Sequence, residues 1–188
     1  MPSRRDWSAG QAGEQSAIRI LTRHPAIRVD RLLTHARDPG FDLLARAVAE
    51  PPNGSVWFGV EVKATTDKRP LSALPNGKFR LPAQWRIRVR QQVNHYGEVP
   101  LPVCLFVVHL QQLRGYFSWL NWPKPAPHTI PVPPFDEPIE LAEATSGGLD
   151  DMVQHLRWWH GSWIAHASTA DRTNQQEWLV RYIVETES

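Results

Sequence analysis

At 188 residues with 41% hydrophobic side chains, the chain has the length for one domain, or one domain with appendages, around a real core. Its formal net charge of +2 sets up no global field that would by itself announce nucleic acid. A single cysteine, Cys104, excludes a disulfide framework and a cysteine-based zinc site. No apolar run approaches a membrane span, and Met1 to Asp6 is polar rather than secretory, so the expected compartment is the cytoplasm, with no membrane partner.

In chain order, residues 1 to about 7 read as a loose arm. A helix is predicted from about Ala9 to Arg23, capped by Ser8, with Ala12, Ala17, Ile18, Ile20 and Leu21 on its apolar face. Glu14 lies in its first half, where a carboxylate is favoured by the helix dipole in any case. His24-Pro25 stops the helix, and Ile27 to Leu33 reads as a first strand. Asp38-Pro39-Gly40 is ordinary turn chemistry leading into a second strand, Phe41 to Ala45. Asn53-Gly54 is the strongest short hairpin signal in the chain, and Val56 to Val62 is the returning strand.

Residues 66 to 80 read as loop or a short hairpin, ending in a brief strand-like stretch, Lys78 to Leu81. Pro82 to Tyr96 follows a helical stripe through Trp85, Val89, Val93 and Tyr96, although Arg86 to Arg90 also alternates as a strand would. On a helix, Arg86, Arg90 and Asn94 share one face, which suits either a phosphate backbone or plain solvent. Pro100 to Leu110 is almost continuously apolar and reads as a strand buried on both faces, with Cys104 as a structural thiol inside it. Gly115 to Leu120 is its aromatic hairpin partner. Residues 121 to 138 are proline-rich and extended in character. Two helices follow: Asp150 to Ala165, expected to begin after Gly147-Gly148, and Asn174 to Val184.

The chemistry concentrates on the hairpin. Asp42 is an acid inside an apolar strand. The hairpin return brings it beside Glu61, and Lys63 shares the face of Glu61 because side chains alternate along a strand. Converging carboxylates are costly to bury unless something binds there, and a hard divalent cation such as magnesium is the natural occupant. A strand with one wet face would show the same Glu-Val-Lys alternation. Of the nine tryptophans, Trp119, Trp122, Trp158, Trp159 and Trp163 crowd the C-terminal third, as a packed core or as a stacking or partner surface. His155, His160 and His166 have no metal spacing, and the chain has neither a glycine-rich phosphate loop nor a Gly-x-Ser-x-Gly elbow.

The order of these elements resembles the PD-(D/E)xK nuclease superfamily, and within it the bacterial domain-of-unknown-function 4365 group. The matching stretches are Gly13-Glu14, Asp38-Pro39-Gly40-Phe41-Asp42, Val60-Glu61-Val62-Lys63, Trp85, the Pro102 to His109 strand and the aromatics of Tyr116 to Trp119. Where the narrower group often has Gln, this chain has Glu61, the usual choice of the superfamily. The resemblance covers about residues 10 to 122. It implies an α/β restriction-endonuclease-like core, with a central mixed sheet of about four to five strands flanked by helices. The expected organisation is a core over 1–122, a proline-rich connection over 123–147 and a C-terminal helical extension over 148–188.

The function so implied is a Mg2+- or Mn2+-dependent nuclease hydrolysing phosphodiester bonds of DNA, in phage defence, mobile-element or repair settings. Asp42, Glu61 and the Val62 carbonyl would hold the metal, with Glu14 completing the shell directly or through water. Lys63 would orient and help deprotonate the attacking water. Arg86, Arg90 and Asn94 would contact nucleic acid. A homodimer, or a partner protein on the Trp-rich third, fits the same picture. The competing class is a catalytically silent nucleic-acid- or protein-binding module or adaptor subunit, which an ion pair between Lys63 and either acid would favour.

Overall fold

The computed structural model describes residues 4–32, 41–48, 54–67, 71–81, 99–123 and 139–183. The long helix α1 (Arg4–Leu21) opens the chain. It begins earlier than Ser8 suggests, because Arg4 to Trp7 contains no proline or glycine and an interior serine costs a helix little. Strands β1 (Ile27–Leu32), β2 (Leu43–Ala47) and β3 (Val56–Thr65) form an antiparallel meander. The β2–β3 turn includes Gly54 at φ +66°, a left-handed conformation that glycine adopts without steric cost. After the two-residue β4 (Phe79–Arg80), the chain enters β5 (Val103–His109), which pairs in parallel with β3. β6 (Arg114–Asn121) folds back on β5 as a hairpin.

A further strand, β7 (Glu140–Glu143), joins β6 to β4 and extends the sheet to seven strands in the order β1-β2-β3-β5-β6-β7-β4. The sheet is mixed, as expected, but larger than the predicted four to five strands. Its sequence, Glu-Leu-Ala-Glu, carries no β-branched or aromatic residue, so pairing on both sides rather than propensity makes it a strand.

Every residue of β5 is buried, which explains its unbroken apolar run: it lies at the middle of the sheet with both faces covered. One face carries Leu43, Ala45, Phe58, Val60, Val62, Cys104, Phe106 and Val108. It is covered by α1 and by α2 (Ser146–His166), whose Leu149, Met152, Leu156, Trp159 and Trp163 are buried. α2 starts before the glycine pair because Thr145 caps it, accepting a hydrogen bond from the Gly148 amide at 3.2 Å. The opposite face carries Leu44, Val103, Leu105, Val107 and Tyr116. Trp178 and Leu179 of α3 (Thr169–Ile183) pack on that side, so the two C-terminal helices cover opposite faces of one sheet.

Most of the crowded tryptophans are core. Trp119, Trp122, Trp159 and Trp163 are buried in a chain of ring contacts with centroids 4.4, 6.3 and 5.3 Å apart. Trp158 alone among the five stands exposed. Burial pushes the Cys104 thiol far above its ordinary range, against a smaller opposing hydrogen bond from the Ser118 backbone, so it is an inert thiol in the sheet. No helix among the described residues is long and apolar enough to cross a membrane.

One close approach joins Phe41 to β3. A Cβ added to Gly59 would lie 2.8 Å from the ring of Phe41, so that ring rests directly on the β3 backbone. We expect Gly59→Ala to cost about 1–3 kcal/mol through this overpacking. Urea unfolding of the two proteins checks it, and equal stability would mean that Phe41 is free to move.

Candidate active site on the third strand

The β2–β3 register runs Leu44↔Gly59, Leu43↔Val60, and the next pair along would be Asp42 and Glu61. Regular pairing stops there. Asp42 lies at a bend just before β2, with its amide donating to the Val60 carbonyl at 2.9 Å. Its carboxylate Oδ2 accepts a hydrogen bond from the Val62 amide at 2.6 Å. The Asp42 side chain therefore takes the place of a backbone acceptor beyond the end of β2. It is held on the residue that stands between Glu61 and Lys63.

Glu61 and Lys63 share the face of Gly59, opposite to that of Val60 and Val62. Glu61 is a buried acid, 3% exposed, and the Lys63 amino group is paired with its Oε1. A lysine so placed stabilises the buried carboxylate, which would otherwise be expensive to keep ionised. The Val62 amide points to the Asp42 side. A strand residue directs its N–H and C=O to the same edge, so the Val62 carbonyl faces that side as well. Asp42, Glu61, Val62 and Lys63 thus meet on one short segment of β3, and the oxygens among them are hard donors of the kind magnesium and manganese accept.

Glu14 is placed differently. A Cβ on Gly13 would lie 2.6 Å from the Ala64 Cβ, so α1 crosses β3 at Val62 to Ala64, on the face away from Glu61 and Lys63. Glu14 is half-buried beside that crossing. Among the described residues no group of three His, Cys, Asp or Glu side chains is gathered as a metal site. Glu14, Asp42 and Glu61 are thus not gathered as a group of three here, and α1 lies over the face opposite Glu61. Arg86, Arg90 and Asn94 lie outside the described residues.

Two features of the neighbourhood were not anticipated. The bare backbone of Gly59 lies against the ring of Phe41, the residue before Asp42; the signal was there in the glycine placed two residues before Glu61. His109, wholly buried at the end of β5, accepts from the Gln112 amide through Nδ1 at 3.3 Å and pairs in register with Thr65, two residues beyond Lys63. A lone histidine closing an apolar run was its only mark in the sequence.

The Glu61–Lys63 pair makes a quantitative expectation. Lys63→Met leaves Glu61 buried without its cation and should cost about 1–3 kcal/mol. Adding Glu61→Gln should recover part of that loss, with a coupling of about 0.5–3 kcal/mol in a double-mutant cycle. Additive losses in denaturant titrations would show that the pair contributes nothing to stability.

A scan against protein-family models and searches of curated proteins and of solved structures find no match to this chain.

Proposed function

We propose that this protein is a divalent-metal-dependent nuclease acting on phosphodiester bonds, with DNA as its polymer and the Asp42, Glu61 and Lys63 segment as its active site. The observation that carries the reading is the Asp42 carboxylate on the Val62 amide, between Glu61 and Lys63. The likeness of the Asp38 to Asp42 and Val60 to Lys63 stretches to the PD-(D/E)xK motifs agrees with it. Asp42, Glu61 and the Val62 carbonyl would hold Mg2+ or Mn2+, with Glu14 completing the shell directly or through water. A bound cation supplies Lewis-acid chemistry, easing deprotonation of water and offsetting charge on the phosphate.

The chain's own residues do the rest. The Lys63 ammonium, paired here with Glu61, would orient and help deprotonate the attacking water and would stabilise charge where it develops on the phosphate. Arg86, Arg90 and Asn94 remain proposed phosphate contacts. Phage defence, mobile elements and repair are the settings in which such an activity would serve, with a homodimer or a partner protein as the assembly.

One observation favours a second reading, that of a binding module or adaptor that cuts nothing. Lys63 is paired with Glu61 and Asp42 with a backbone amide, so the site's charges are already answered within the chain. Purified protein tested on plasmid, linear and single-stranded DNA and on RNA, with Mg2+ or Mn2+, separates the two. The nuclease reading predicts metal-dependent cutting that Lys63→Ala and Asp42→Ala each reduce by at least about 100-fold. Tight nucleic-acid binding without cutting, retained by both variants, would establish the binding module instead.

A further inference from the structure

α3 reaches the same site from the far end of the chain. Its start is held by the Ser168–Asp171 cap, in which the Asp171 carboxylate accepts from the Ser168 amide at 2.9 Å and from its hydroxyl at 2.6 Å. One turn further on, Gln175 donates to the Pro100 carbonyl at 2.8 Å, just before β5. Three residues later the Trp178 ring stacks on Phe41, with centroids 6.0 Å apart and planes 29° from parallel. α3 therefore spans from the approach to β5 to the approach to β2, and its tryptophan lands on the residue next to Asp42.

Phe41 is thereby held on two sides. The bare backbone of Gly59 lies against its ring, leaving no room for a side chain. Trp178 stacks on that ring as well. Asp42 follows directly in the chain, with its amide fixed to the Val60 carbonyl and its carboxylate to the Val62 amide. Asp42 itself sits in a bend outside the β2–β3 ladder, whose last pair is Leu43↔Val60.

We propose that α3 is a working part of the site, with Trp178 a positioning residue that holds the Asp42 carboxylate at the Val62 amide by clamping Phe41 onto Gly59. The helix that looked like an appendage completes the Asp42 corner. Its consequence for cation binding rests on the nuclease reading, whereas the positioning of Asp42 does not.

The test follows the Val62 amide by hydrogen exchange in the full chain, relative to amides of central β5, alongside Mn2+ titration by paramagnetic resonance. Trp178→Ala should speed Val62 exchange by about tenfold, the size of a lost aromatic stack, and weaken Mn2+ binding several-fold. Trp178→Phe should restore both. Val153→Ala, a core change in α2 on the opposite face, should move neither. Unchanged Val62 exchange in Trp178→Ala, or the same acceleration in Val153→Ala, would overturn the proposal. If Val62 responds as expected while the wild type binds no Mn2+, the positioning role stands and the metal reading falls.

Discussion

The hydrogen bond from the Val62 amide to the Asp42 carboxylate is the contact on which the candidate site depends. An interior strand normally satisfies its amides with backbone carbonyls, because a buried unpaired N–H is costly. Where β2 runs out, Val62 would face that cost, and the Asp42 side chain meets it. The same contact holds the Asp42 carboxylate on the amide of the residue that follows the buried acid Glu61. Lys63 then offsets the charge of Glu61. Three ionisable groups within one turn of sheet are tolerated because each has a partner within reach.

Under the nuclease reading, this arrangement would stand between two states. Closed on itself, the segment is electrostatically satisfied and needs no ligand. A divalent cation would compete with Lys63 for Glu61, and in doing so would free the ammonium for a phosphate. That exchange would be favourable only if the cation's attraction to the acids exceeds that of the lysine. The same groups are compatible with a silent module, so chemistry rather than geometry separates the two readings.

The parts of the fold set by local signals were legible in the sequence. Asn53-Gly54 announced a turn between two antiparallel strands, although the connection runs over residues 48–55 and the ladder from Ala47↔Val56 to Leu43↔Val60, rather than a two-residue turn, sets the register that leads to Asp42 and Glu61. The continuous apolar run of β5 announced a strand covered on both faces. What was not legible depends on tertiary contacts. β7 is a strand because β6 and β4 flank it, not because Glu-Leu-Ala-Glu favours one. α2 begins at Thr145 because a hydroxyl caps it, although the glycine pair suggested a later start. Glu14 was aligned by motif, yet the tight fit of Gly13 on Ala64 carries α1 over the face opposite Glu61. Trp178 gave no hint of its place, since nothing in a sequence records that a distant helix will end its path on Phe41.

Under the nuclease reading, Asp42, Glu61 and the Val62 carbonyl would form one cation site whose occupation releases Lys63. Crystals grown with manganese, with anomalous scattering measured at the manganese edge, address it directly. The account predicts an anomalous peak bounded by these three groups, with the Lys63 amino group turned away from Glu61. A map without that peak at saturating manganese, and with Lys63 still paired to Glu61, would contradict it.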